Sequence, residues 1–384
     1  MIVVRAGSIT SAAGIGGPRW IVIRGGVIEA IDEGLTDVDA QVIEADELVV
    51  GAGLIDIHTH GINGAQAIDG DRSSIARMAE AYARHGVTGF LATIGGSTRT
   101  TEAGIVAVTE YLSSPPDDRS GARCLGIHLE GPFINPRRPG AFVPASILAP
   151  NVELLRRYAR LAAGSIRRMT LAPEMPGMDV LLEVARQLGI GCSAGHSEAS
   201  AAEMQMAIAA GVNSVTHTFN AMPQLHHRGP GLVGTALTDQ NVVAELVPDG
   251  VHVDPLVMRL LACARGWAGV ALVTDSIAAA GLPDGAYTFE EQRITVQGGE
   301  ARLTDGTLAG STLTLDEGVR RFSQAAGMPW HEAHASASLV PARVLGLAHE
   351  VGEVAIGNVA DLVAFDSQRR VVWTMVGGDV VYRA

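Results

Sequence analysis

Leu54-Ile55-Asp56-Ile57-His58-Thr59-His60 is a short apolar run that closes on two histidines one residue apart. Its branched residues favour a strand, and in a strand side chains two apart share a face. His58 and His60 can then reach one metal ion. Two unrelated strand histidines would look the same, so this stretch alone leaves both readings open. What decides between them is that the pattern recurs along the chain.

Strand-like segments follow at Gly86–Ile94, Cys124–Glu130, Met169–Pro173, Ile190–His196, Ser214–Asn220, Val242–Val247 and Val270–Asp275. Helical patterns lie between them. Ser73–His85 carries Ile75, Met78, Ala79 and Tyr82 at helical spacing, and Asp179–Leu188, Ala199–Ala210 and Pro255–Ala264 read alike. Asp254 before Pro255 is an N-cap followed by a proline at the first helical position. Strands alternating with helices over about 220–250 residues predict an α/β fold, a (β/α)8 TIM barrel. An open doubly wound sheet is the runner-up, but Gly14-Ile15-Gly16-Gly17 is too weak a glycine pattern to support a dinucleotide fold.

Both ends of the chain are β-rich instead. Ile2–Val4, Trp20–Arg24 and Val27–Ile31 stand at one end, and Asp361–Phe365, Val371–Val376 and Val380–Tyr382 at the other. Gly25-Gly26 and Gly377-Gly378 are turn signals. The expected organisation is a small β-sandwich from residues 1–52 plus 347–384 and a metal-dependent catalytic barrel over 53–346. Ser113–Ser120, with its Pro-Pro-Asp-Asp core, reads as a polar connection.

Composition narrows the function. The 384 residues are 47% hydrophobic and 18% charged, enough for a sizeable core. A formal net charge of −13 repels the phosphate backbone and argues against general nucleic-acid binding. All 28 basic side chains are arginine. The lack of lysine excludes Schiff-base catalysis, a Walker-type lysine and a metal pair bridged by a modified lysine. Cys124, Cys192 and Cys263 are widely spaced and suit a reducing, cytoplasmic setting. Met1–Ser8 shows no signal-peptide pattern, and no uncharged apolar run reaches the roughly 18 residues of a membrane span.

The remaining histidines and carboxylates fall where a barrel places its active site, at the C-terminal ends of the strands. Glu130 and His128 end the third strand, His196 the fifth and His217 the sixth; His252 follows the seventh, and Asp275 ends the eighth. Imidazoles with carboxylates suit Zn²⁺ foremost, and also Fe²⁺, Mn²⁺ or Co²⁺. Such an ion acidifies water, and a neighbouring carboxylate can move the proton to a leaving group. Asp275 is the natural candidate. These parts make a hydrolase of an amide, ester or amidine.

Longer motifs carry a resemblance: His128-Leu129-Glu130-Gly131-Pro132-Phe133, Thr216-His217-Thr218-Phe219-Asn220-Ala221-Met222-Pro223, and the stretches 53–61, 194–199, 248–254, 272–281, 308–315 and 351–366. Over nearly its whole length the chain resembles the N-acetylglucosamine-6-phosphate deacetylases of the amidohydrolase superfamily. The resemblance implies release of acetate from the sugar phosphate, giving glucosamine 6-phosphate. It implies that Glu130, His196 and His217 bind one divalent ion and that Asp275 is the general acid/base. It implies that His252 contacts substrate and polarises the acetyl carbonyl. Asn220, Ala221, Arg228, Ala141 and the loop Leu308-Ala309-Gly310 would bind the sugar phosphate, with Arg228 acting across a homodimer interface. Because His58 and His60 are both present, a second ion is expected there, with Glu130 as bridge and Asp275 in contact.

The chain departs from the family at Phe142, where a histidine is usual. That keeps open a deacetylase of N-acetylgalactosamine 6-phosphate or of another N-acyl compound. A non-catalytic sugar-phosphate binding protein is a remote alternative, since such a protein should have lost a ligand or the acid/base. His128 reads as a partner of ligands or a packing residue, and Asp56 could be such a partner too. His226 and His227 read as solvated, His331 and His334 as surface or packing residues. His85 reads as a helix C-terminus and Cys192 as a core residue.

Overall fold

The computed structural model describes residues 1–34, 40–114, 120–290 and 292–384. Eight parallel strands form the central sheet: Leu54–Thr59, Val87–Ile94, Arg123–Glu130, Ile166–Leu171, Gly191–Ala194, Val212–Val215, Val243–Leu246 and Val270–Leu272. Each is hydrogen-bonded to its sequence neighbour. Between the first and last strands there is no regular ladder. That seam is closed by single bonds: Asp275 N–H donates to His58 C=O at 2.8 Å, and the Ser276 carbonyl accepts from His60 N–H at 2.8 Å and Gly61 N–H at 2.9 Å. Asp56 adds side-chain bonds, its Oδ2 accepting from Thr274 Oγ1 at 2.6 Å. Asp56 is therefore spent on joining the first strand to the eighth.

The helices expected after the first, fourth, fifth and seventh strands form at Arg72–Ala83, Met178–Gln187, Ala201–Ala209 and Pro255–Arg265. Asp254 caps the last of these, accepting from Leu256 N–H at 2.8 Å. Helices also form at Thr98–Ser113, Val152–Leu161, Gly231–Thr238 and Leu315–Ala326, which completes the alternation. The run Ile105-Val106-Ala107-Val108 is strand-like by composition, but Ser97 caps its helix by accepting from Thr100 N–H. The Pro-Pro-Asp-Asp segment lies outside the described residues.

The strand ends differ from expectation in a way that bears on the site. Three strands were expected to run on to His196, Asn220 and Asp275; they stop at Ala194, Val215 and Leu272. His196, His217, Phe219 and Asp275 have φ of 47°, 29°, 81° and 50°. Left-handed backbone cannot continue a strand, and for non-glycine residues it costs free energy that the surrounding structure must offset.

The terminal sheet has eight strands drawn from both chain ends. At its centre Gln41–Ala52 pairs in parallel with Ile2–Ser11 and antiparallel with Leu362–Phe365. That strand, which sequence reading missed, alternates charged with apolar residues over Glu44-Ala45-Asp46. Val4, Ile21, Ile23 and Ile28 share one buried cluster with Leu362, Trp373 and Met375, so the two arms of the sheet close over a common core. A third, three-stranded sheet (Gly285–Phe289, Gln292–Gln297, Glu300–Leu303) follows the eighth barrel strand.

His334 packs where the terminal sheet meets the barrel. Its ring lies 5.1 Å from Trp330 and 5.8 Å from Phe365, and a Cβ on Gly51 would sit 2.9 Å from its Nε2. Burial lowers its pKa from 6.5 to about 4. The folded chain thus resists a proton that the unfolded chain accepts. The associated stability is complete above pH 6.5 and is lost as pH falls toward 4, by about 2 kcal/mol at pH 5. Urea midpoints at pH 7 and pH 5 should therefore separate more for the parent than for His334→Gln.

Candidate metal centre and active site

The ends of five strands bring six polar side chains to one place. Nitrogen and oxygen atoms of His58, His60 and Asp275 lie within 4.8 Å of one another, and so do those of Glu130, His196 and His217. All six residues are buried. Glu130 joins the groups. Its Oε1 is 3.2 Å from both His196 Nε2 and His217 Nε2 and 3.4 Å from His58 Nε2, and its Oε2 is 3.1 Å from His60 Nε2. Asp275 Oδ1 is 3.4 Å from His58 Nε2 and 3.3 Å from His60 Nε2.

The donor set fits divalent cations. His196 Nδ1 is 2.9 Å from the Arg138 carbonyl. A carbonyl only accepts, so Nδ1 carries the proton and Nε2 presents a lone pair. That lone pair faces His217 Nε2 at 3.0 Å as well as Glu130. His58 Nε2 is buried without a hydrogen-bond partner. Lone pairs converging on a buried carboxylate call for protons or for a metal ion. Burial opposes charge on His60, but Asp275 and Glu130 outweigh it and push its pKa to about 9. His58 is raised well above its usual value against the same opposition, by Glu130 and Asp275. Burial likewise raises Glu130 and Asp275, yet the facing histidines hold both below the carboxylate range. A cation entering either group replaces those protons.

Gly140, at φ 56°, lets the loop after the third strand cross His196: a Cβ there would meet the ring at 2.9 Å. His252 is aimed by Asp249, whose Oδ2 accepts from its Nδ1 at 2.7 Å. Burial disfavours charge on His252, but Asp249 reverses that and raises its pKa. Nε2 is then left for the cavity.

The cavity above the six residues measures about 200 Å³. His60, Glu130, His196, His217, His252 and Asp275 line it, with Ala141, Asn220, Ala221, Leu308 and Gly310. His58 lies below the surface. Two expected substrate contacts do not line it. Ala309 is fully buried and packs against the three-stranded sheet. Arg228 is exposed outside the cavity, its Nη1 bonded to His227 Nε2 at 2.8 Å. Phe142 does line the cavity, edge-on to His196 with centroids 5.2 Å apart. His128 is no part of either group: Thr93 and Thr170 hydroxyls lie 3.2 and 2.8 Å from its two ring nitrogens.

Comparison with known proteins agrees with this geometry. Residues 49–381 match the model of the amidohydrolase family. The chain belongs to the amidohydrolase family. It is 39% identical to N-acetylglucosamine-6-phosphate deacetylase of Bacillus subtilis strain 168 over 86% of this chain and 84% of that one. It is 33% identical to N-acetylgalactosamine-6-phosphate deacetylase of Escherichia coli O157:H7, covering 98% of both chains. Among solved structures, a mutant N-acetyl-D-glucosamine-6-phosphate deacetylase from Mycobacterium smegmatis, in complex with N-acetyl-D-glucosamine 6-phosphate, superposes with TM-score 0.91. The identity is 29%, and 99% of each chain is covered. Among the described residues no helix is long and apolar enough to cross a membrane.

Sequence reading missed several residues of this amidohydrolase site. Phe289 stands edge-on to His60 at 5.2 Å, and Thr307 lines the cavity. Both come from the segment after the eighth strand, which has no barrel period to follow. Asp249 had a signal, an acid three residues before His252. Glu245, in the seventh strand, lies buried 3.4 Å from His58 Nδ1.

Proposed function

We propose that this amidohydrolase removes the N-acetyl group of N-acetylglucosamine 6-phosphate, giving glucosamine 6-phosphate and acetate. The observation that carries the reading is the Asp275 carboxylate, which lies 3.3–3.4 Å from His58 and His60 and lines the same cavity as His252. Glu130, His196 and His217 would hold one divalent ion, and His58, His60 and Asp275 a second bridged by Glu130, with Zn²⁺ the ion proposed. Bound there, the metal supplies Lewis acidity to the acetyl carbonyl and acidifies a water. Asp275, ionised at neutral pH, accepts the proton of the attacking water and passes it to the departing amine nitrogen. His252, whose protonated form Asp249 favours, then donates from Nε2 to the carbonyl oxygen as negative charge develops there. Asn220, Ala221, Ala141 and Leu308 enclose the sugar.

In this reading residues 53–346 form the catalytic unit and residues 1–52 with 347–384 a supporting one. Arg228 cannot meet the phosphate within the cavity of its own chain as that cavity is lined. Its exposure supports a homodimer in which it serves the neighbouring copy. A guanidinium matches a phosphate with two parallel hydrogen bonds. Three unpaired cysteines support a cytoplasmic setting.

A second reading, deacetylation of N-acetylgalactosamine 6-phosphate, is favoured by one observation: the apolar Phe142 ring on the cavity wall. Acetate release decides between them. The zinc-loaded protein is given each 6-phosphate epimer and unphosphorylated N-acetylglucosamine, with and without chelator. Chelator-sensitive release is expected mainly from the gluco phosphate. Preference for the galacto epimer would overturn the substrate and keep the mechanism. Release that survives complete metal removal would overturn the mechanism.

A further inference from the structure

Beneath the candidate metal centre the barrel is filled by a chain of polar side chains. His128 Nε2 meets Thr170 Oγ1 at 2.8 Å, Thr170 meets Thr216 at 2.8 Å, and Thr216 donates to Ser193 at 2.6 Å. Ser214 also donates to Ser193, at 2.8 Å, and accepts from Arg168. Arg168 is 1% exposed, far from any water that could solvate its charge. Its Nη2 lies 3.6 Å from Oε1 of Glu245, itself 1% exposed. A buried cation of this kind requires a buried anion.

Glu245 does more than balance that charge, because its two oxygens face different partners. Oε1 is turned to Arg168, and Oε2 lies 3.4 Å from His58 Nδ1. With Glu245 Oε2 as the acceptor, Nδ1 keeps its proton, and Nε2 is the nitrogen whose proton a metal ion would displace. Nε2 is the atom that faces Glu130 and Asp275 and has no hydrogen-bond partner. In the Glu130–His196–His217 group, by contrast, His196 is held by a neutral carbonyl. A carboxylate makes its imidazole the stronger donor to a metal.

We infer that Glu245 is a positioning residue for the His58–His60–Asp275 group: it sets the tautomer of His58 and tightens the ion held there, leaving the Glu130–His196–His217 group nearly untouched. Arg168 holds the Glu245 carboxylate turned toward His58. The chain thereby controls how completely its second metal position fills. The inference rests on reading the two histidine–carboxylate groups as metal sites.

Titration of chelator-stripped protein with Zn²⁺ tests it without any substrate. Two variants are compared with the parent: Glu245→Gln, and the pair Arg168→Met with Glu245→Met, which strands no buried charge. Thermal melts of the stripped proteins establish that each is folded. The parent should take up two ions per chain. Both variants should keep one ion at parental affinity and hold the second about 10–100-fold more weakly. Parental affinity at both positions in the double variant would overturn the inference, since Glu245 would then be only the counter-ion of Arg168. Equal weakening of both ions would overturn its selectivity. A parent chain that takes up fewer than two ions would instead overturn the reading of the metal sites on which it rests.

Discussion

Asp275→Asn is expected to lower kcat by about 10³-fold at matched metal content. Asparagine keeps the size of the side chain and tolerates the left-handed backbone that Asp275 occupies at φ 50°. Its backbone bonds to His58 and Ser311 do not depend on the carboxylate. What the substitution removes is the proton acceptor, together with one anionic contact to His58 and His60. Turnover and metal content should therefore be measured on the same preparation. Near-parental turnover with both ions present would remove Asp275 from the proton path.

Glu130→Gln should have the wider effect. Glu130 touches all four clustered histidines, His58, His60, His196 and His217, through two oxygens. The amide is neutral and replaces one acceptor by a donor. Neither group then retains its shared anion, so metal content should fall to roughly a tenth of the parent or less and acetate release to background. Stability gives a second readout. An ion bound only by the folded state stabilises by about 2.7 kcal/mol at a hundredfold excess over its Kd. Added Zn²⁺ should raise the melting temperature of the parent and leave that of Glu130→Gln unmoved. A variant that binds two ions as tightly as the parent would sink the bridging role.

Much of this site was legible because chemistry and period coincide. Histidines and carboxylates recur at the ends of apolar runs, and a barrel gathers those ends into one rim. His58, His60, Glu130, His196, His217 and Asp275 could be read in this way. The exact strand ends could not, because His196, His217 and Asp275 adopt a backbone for which their residue types give no signal. Phe289 reaches the cavity from the three-stranded sheet and Thr307 from the loop after it, and the placement of both depends on tertiary packing. Glu245 sat in plain sight within Val242–Val247, but only the closed barrel turns it toward His58. Arg228 shows the opposite limit: its motif is clear, and a single chain does not bring it to the cavity. The resemblance implies a substrate contact at Ala309, whose side chain packs in the core beside the three-stranded sheet.

The seam between the first and eighth strands bears on how the protein is made. Thr59 and Ser276, whose hydroxyls meet there at 2.8 Å, are separated by 217 residues. At ordinary translation speeds the first strand waits roughly 10–45 s for its closing neighbour to be synthesised. During that interval the nascent chain carries His58 and His60 without Asp275, and its sheet has two open edges. A product that stops between His217 and Asp275 therefore lacks the third member of that histidine group, while the Glu130–His196–His217 set is already translated. A divalent ion held at the seam would mark a chain whose barrel has been completed.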